Sequence, residues 1–340
     1  MANFTPQVKR VGKNDKEQLK LAFGLAKEER FDEALAEFET ILQNNPNSKL
    51  AHLGAGNMLF RQERYDEALR HFQIAARLDS LLPQAQVGVG QVYLRQGEIE
   101  QALEKFQTAI NIDPNYTEAY QGIGQVLARQ EKYDEAIQQW RKAQRLNPQL
   151  ISVRLLMAQV YQDQGKLAEA LSELKSALNI DPTRWRTHQA LGRVYLQQKE
   201  YSAAVEAFRT AQKYNPDMPP FAQLALVEAL IEVKQIEEAA EILRKMLPFK
   251  AIEPRKHELW GDIYQRQGLL KEAIEEYGAA LITLEAEDTL NGLVDIDTLS
   301  GQDEGKWQEV LAGYKAAAHQ RVSEAQTLAR ANFQKSLFGL

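Results

Sequence analysis

The chain has 340 residues, 26% charged and 44% hydrophobic, with a net charge of −6 and no cysteine. Such a composition belongs to a folding chain and excludes disulfides, thiolate metal sites and cysteine nucleophiles. The mild acidity gives no support to polyanion binding over the whole surface, and the lack of cysteine suits a reducing, cytoplasmic setting.

In chain order, residues 1–14 form an N-terminal extension. Its "MANFTPQVKRVGK" lacks an apolar core, so no signal peptide is expected. No run of about 18 apolar residues follows anywhere, so no membrane span is expected. From residue 15 a 34-residue period takes over. Asn45-Pro46, Asp113-Pro114, Asn147-Pro148, Asp181-Pro182 and Asn215-Pro216 fall in one register, with Asp79-Ser80 in the remaining place. An Asx followed by proline ends one helix and pre-sets the turn before the next.

Further columns share that register. Alanine recurs at Ala34, Ala68, Ala102, Ala136, Ala170 and Ala204, then at Ala239 and Ala273 after a one-residue insertion near Pro219. Four residues on lies a large apolar column: Phe38, Phe72, Phe106, Trp140, Leu174, Phe208, Leu243 and Tyr277. A small-residue column runs through Ala22, Gly56, Gly90, Gly124, Ala158, Gly192 and Gly261, with Val227 breaking it. The spacing predicts two amphipathic helices per unit, for example Thr117 to Arg129 and Asp134 to Leu146. Asp32, Asp66, Asp134 and Ser202 fit as N-caps of the second helices. The Gly124 column lets helices approach closely, and a shorter column of Gly54, Gly88 and Gly122 is read as opening the floor of a groove.

The pattern resembles the tetratricopeptide repeat family. On that resemblance the chain is all-α: a right-handed superhelix (α-solenoid) of helix-turn-helix repeats with a C-terminal capping helix. Eight repeats fit, at 15–48, 49–82, 83–116, 117–150, 151–184, 185–219, 220–253 and 254–287. Repeats seven and eight lack the Asx-Pro turn, and Pro248 falls near the end of repeat seven. Residues 288–305 read as a Gly/Asp-rich loop, and 306–340 as an amphipathic helix. Two roles fit that helix: a cap on repeat eight, or a homodimer seam, because its spacing approaches a heptad.

The glycine pairs at Gly54, Gly88 and Gly122 are not dinucleotide loops; they sit in predicted helices, lack the third glycine and follow no strand. "DIDTLSGQDEGK" from Asp295 lacks the third ligand, the turn glycine and the final glutamate of a calcium loop. The five histidines, His52, His71, His188, His257 and His319, read as scattered without ligand spacing. No nucleophile elbow or phosphate loop is present, so neither an enzyme nor a cofactor is expected.

In this family the first helix of each repeat lines the concave surface, and its variable residues contact ligand. The position after the small column runs Phe23, Asn57, Gln91, Gln125, Gln159, Arg193, Glu228, Asp262. A carboxamide offers a donor and an acceptor together, so this ladder suits a peptide backbone. One turn on stand Lys27, Arg61, Arg95, Arg129, Asp163, Gln197, Glu232 and Arg266. The N-terminal half is thus basic and the C-terminal half acidic, with Glu228, Glu232, Glu258 and Asp262. The expected partner-binding residues are Asn57, Arg61, Gln91, Arg95, Gln125, Arg129, Gln159 and Arg193, and the expected partner is a protein or peptide with an acidic segment. The resemblance implies a scaffold that assembles multiprotein complexes. The family's carboxylate clamp is not matched, because Leu19 and Phe23, or Leu53 and Asn57, occupy its places. The alternative is an RNA-binding helical-repeat protein, against which the net acidity and the missing aromatics beside the arginines count.

Overall fold

The computed structural model describes residues 13–284, Thr289, Leu293 and 304–337. Most of the N-terminal extension, most of the 288–305 loop and the acidic stretch at Asp295 lie outside the described residues. Among the described residues every regular element is an α-helix, and there are 17.

Two compact units divide the chain between Val153 and Arg154. The first holds α1 (Lys13–Lys27), α2 (Phe31–Asn44), α3 (Lys49–Arg61), α4 (Tyr65–Leu78), α5 (Pro83–Gln96), α6 (Ile99–Ile112), α7 (Thr117–Arg129) and α8 (Tyr133–Leu146). The division falls within α9 (Ile151–Asp163). The second unit continues with α10 (Leu167–Ile180), α11 (Trp185–Gln197), α12 (Tyr201–Tyr214), α13 (Pro220–Glu232), α14 (Ile236–Lys245), α15 (Glu253–Arg266), α16 (Leu270–Thr283) and, as far as Asn332, α17 (Glu304–Leu337). The one-residue insertion sits in the turn before α13, which has five residues where the turn before α11 has four.

First and second helices differ in how they are buried. In α4 the buried positions are Ala68, Phe72 and Ala75, a single stripe at spacings of four and three. In α3 the buried run is continuous from Ala51 through Gly56, and continues at Met58 and Leu59. The reason is position: α3 packs on α4 in its own repeat, on α2 of the preceding one, and on α1 and α5. A helix enclosed on so many sides is apolar almost all round.

The small-residue columns have a specific seat. A Cβ built on Gly56 would strike the Phe72 ring, and one on Gly88 would strike the same ring from the next repeat. Phe106 is held the same way between Gly90 and Gly122. The Gly54, Gly88, Gly122 column therefore does not open a groove floor; it receives the aromatic ring of the preceding repeat. Where the ring becomes leucine, the small position enlarges or loses its glycine: Ala158 with Leu174, Val227 with Leu243.

The turns follow one design. Every helix pair in a repeat is joined through a residue at positive φ: Glu29, Glu63, Gly97, Glu131, Gly165, Lys199, Lys234 and Gly268. At four of the six Asx corners the side chain accepts the backbone N–H two residues on, as Asp113 does from Asn115 at 2.9 Å and Asp79 from Leu81 at 3.0 Å, while Asn45 and Asn215 donate instead, to Asp15 and to the Asp217 carbonyl. Asp79 keeps the same extended backbone as the Asx-Pro pairs although Ser80 replaces proline. The Asx turn, not the proline ring, holds that corner.

The second helices begin earlier than their aspartates suggest. Arg30, Arg64, Lys132 and Glu200 are the N-caps, without side-chain caps, so Asp32, Asp66, Asp134 and Ser202 are not. All four stand in the first turn, where the carboxylates of the three aspartates complement the helix dipole. Two of them also tie repeats together: Gln62 donates to Asp32 at 2.8 Å and Gln96 to Asp66 at 3.0 Å.

Three of the histidines share one repeat position after all. His52, His188 and His257 are in register with Tyr120. His52 and His188 reach the carbonyls of Pro46 and Pro182 at 3.0 and 2.8 Å, as the Tyr120 hydroxyl reaches Pro114 at 2.9 Å. His257 instead meets Glu276 at 2.6 Å. His52, Tyr120 and His188 thus lock the inter-repeat turn to the helix that carries them.

In the second unit α17 packs Val310, Leu311, Tyr314, Ala318 and Val322 onto Ala273, Ile274, Tyr277 and Leu281. The apolar edge of the last helix pair is thereby covered.

Candidate functional site

In the first unit the first helices touch one another in series, α1 with α3, α3 with α5 and α5 with α7, and so present a continuous face. Between Ala51 and Arg61 of α3 only Asn57 and Arg61 are exposed. They sit four apart, one above the other, as residues one turn apart must. Register carries the same pair to Gln91 and Arg95 on α5, both half-buried, and to Gln125 and Arg129 on α7. The face deepens along this line: Arg129 is only 8% exposed.

The guanidinium groups are differently held. Arg95 stands over the Phe60 ring of α3, 5.8 Å from its centroid. Arg129 crosses to α5, where Nη1 donates to the carbonyl of Leu94 near that helix's C-terminus. Burial, with Arg95 beside it, lowers the Arg129 pKa to about 10. Its Nε and Nη2 are buried without a hydrogen-bond partner, and so is Oε1 of Gln125. Phe23, at the carboxamide position of α1, is 41% exposed and packs edge-on against Phe38 at 5.1 Å.

The second unit treats the same positions otherwise. Arg193 donates to Gln159 at 3.2 Å, and Gln159 donates to Asp163 at 2.9 Å, so these side chains answer one another. Its carboxylates do not form an open acidic field. Glu228 takes Arg255 at 2.7 Å and Glu232 takes Arg266 at 2.7 Å. Glu258, 2% exposed, is paired with Arg255 at 2.6 Å and His319 at 2.7 Å. Asp262 holds Lys315 at 2.8 Å and accepts from the Tyr277 hydroxyl at 2.7 Å. Burial alone would lower the Arg255 pKa, but Glu258 and Glu228 together raise it. Lys315 and His319 belong to α17, so part of this acidic set anchors the chain's own last helix.

The sequence columns located these positions but not their partners. The pairing of Gln159 with Arg193 has a signal in the 34-residue offset; the contact of Arg129 with a main-chain carbonyl has none. Among the described residues there is no group of three or more His, Asp or Glu placed to hold a metal. No described helix is long and apolar enough to cross a membrane.

Stacked helix pairs whose first helices expose a narrow polar line define a repeat protein of the interaction-scaffold class. Sequence comparison gives the family. A family described as "TPR repeat" matches residues 90–131 and 124–165, and two described as "Tetratricopeptide repeat" match 161–224 with 195–259 and 19–83. The chain belongs to the tetratricopeptide repeat family.

Among solved structures the chain is similar to the APC/C hetero-tetramer Cut9-Hcn1, with 18% identity and a TM-score of 0.64. That match covers 94% of this chain, which spans only 57% of the other, and it shows a shared fold. Two further matches are pilF of Pseudomonas aeruginosa (16% identity, TM-score 0.47, 66% of this chain and 96% of that one) and a thermophilic TPR protein of Thermus thermophilus, TTC0263 (25% identity, TM-score 0.48, 54% and 100%). Among curated proteins no sequence match was found.

Proposed function

We propose that the chain is a non-catalytic scaffold whose first-helix face, in the first unit, holds an extended or helical segment of a partner protein during assembly of a multiprotein complex. The observation that carries this reading is the exposed pair Asn57 and Arg61 on a helix enclosed at all its other positions from Ala51 on, repeated in register by Gln91 with Arg95 and Gln125 with Arg129. Carboxamides pair with a peptide backbone whatever its side chains, each bond contributing about 0.5–1.5 kcal/mol net. The guanidinium column favours a segment with acidic residues, and charge complementarity of this kind mainly speeds and orients association. Gln159 and Arg193 supply the same residue types in the second unit, already bonded to each other.

The test is site-specific photocrosslinking in cells, with the reactive residue at position 57 or 61, compared with position 104 on α6. Partners joined from 57 and 61, and lost when Arg61 is changed to glutamate, are the expected result. The same partners joined equally from position 104 would move the binding surface to the second helices and refute the reading.

A further inference from the structure

Arg129 is the most enclosed charge of the first-helix face in the first unit, and its guanidinium is left partly unsatisfied. A guanidinium has five N–H donors in a fixed fork. One of them is used on Leu94. The edge formed by Nε and Nη2 is buried and makes no hydrogen bond. That side-on edge is the one that meets a carboxylate with two parallel bonds. Arg95 is the charge that bears on it, and being of like sign it makes the place more positive. One turn back on the same helix, Gln125 Oε1 is an acceptor without a donor. Two free donors and one free acceptor, four residues apart, are the complement of a carboxylate beside a backbone N–H. An acidic residue within a peptide carries both.

A role confined to the fold does not account for this arrangement. Holding the end of α5 needs only the Nη1 bond, and an enclosed cation with unmet donors costs stability. We infer that Arg129 and Gln125 form the anchor for one Asp or Glu residue of the partner, its carboxylate on the Nε/Nη2 edge and its backbone N–H on Gln125 Oε1. Gln91 and Arg95, both half-buried, occupy the same register positions on α5, the neighbouring first helix. The inference rests on the scaffold reading above and adds to it which atoms select the ligand.

The probe is a random twelve-residue peptide library displayed on phage and selected against the full chain. Enriched peptides are then synthesised and titrated by fluorescence anisotropy. The expected outcome is an Asp or Glu at one fixed position. Changing it to Asn or Gln, or changing Arg129→Met, then weakens binding at least about tenfold. The two losses do not add in the double variant, because each removes the same contact. Arg129→Lys keeps the charge without the fork and also binds weakly; it carries the test if the methionine variant fails to fold. Peptides lacking a fixed acidic residue, or bound equally by the Arg129 variants, overturn the anchor. If those peptides still lose affinity with Arg61→Glu, the scaffold reading stands without it. Enrichment of no peptide at all overturns both.

Discussion

Phe72 shows how much of this chain is decided by single side chains. Its ring fills the space left by two missing Cβ atoms, at Gly56 and Gly88. Gly88→Ala gains about 1 kcal/mol of helix propensity but forces a methyl into a fixed ring, which costs about 1–3 kcal/mol. The clash prevails because Gly56 on the far side blocks retreat, so thermal unfolding moves to lower temperature. Gly24→Ala is the counter-example: nothing lies within 4 Å of its added Cβ, and the variant melts higher. Equal shifts for the two variants would contradict the ring-seat account. Gly165, at φ +72°, belongs to a third kind. A β-branched residue is strained in that left-handed region, and Gly165→Val destabilises by about 1–2 kcal/mol, measurable by urea unfolding.

At the scale of elements, period was legible and geometry was not. Apolar spacing placed α7 at Thr117–Arg129 and α8 within one residue of its observed start at Tyr133. The 34-residue step also exposed the polar line on the first helices, since a repeat displays its exceptions in columns. The positive-φ column went unseen because Glu and Lys fill five of its eight places, and these residues carry no turn signal. The aspartates were misread as caps because a first-turn carboxylate and a capping carboxylate look alike without backbone angles. The His52 column was missed because His52, Tyr120 and His188 share a reach and not a residue type.

One element-scale consequence concerns pH. Pro46 has only a carbonyl to offer, so His52 Nε2 donates to it and His52 Nδ1 accepts from His71 Nδ1 at 3.0 Å. Burial, then His52, lowers the His71 pKa from its ordinary 6.5; Glu67 opposes this and Arg70 adds to it. The folded state therefore binds fewer protons than the unfolded one just below that value. The contribution of His71 is complete above about pH 6.5 and declines as pH falls. Melting of the first unit, followed by hydrogen exchange in α3 and α4, should weaken from pH 7.5 to pH 5.5. His71→Gln should flatten that dependence; an unchanged pH profile in this variant would assign it elsewhere.

At the scale of the whole chain, stability in a repeat protein is a sum of units and their nearest-neighbour interfaces. Leu311 is 1% exposed in the cluster that joins α17 to α16. Leu311→Asp buries a charge there and should raise hydrogen exchange in α15 and α16, while α3 and α5 keep their protection. Loss of protection throughout would mean that the units unfold together. Partner binding belongs to this scale too. If Arg61 and Arg95 steer an acidic segment, association slows between about 50 mM and about 300 mM salt, while dissociation changes less, as stopped-flow mixing would show.

The shared rings impose a grammar on how such a chain can lengthen. Phe72 and Phe106 each serve two successive modules, so neither module is complete at its trailing edge. A copied segment is accepted only where its incoming helix offers a bare Cα to the ring already there. Recombination between modules with leucine at the ring position and modules with an aromatic there leaves a hole or a collision at the splice. The order of the rings along the chain is thus as constrained as their number.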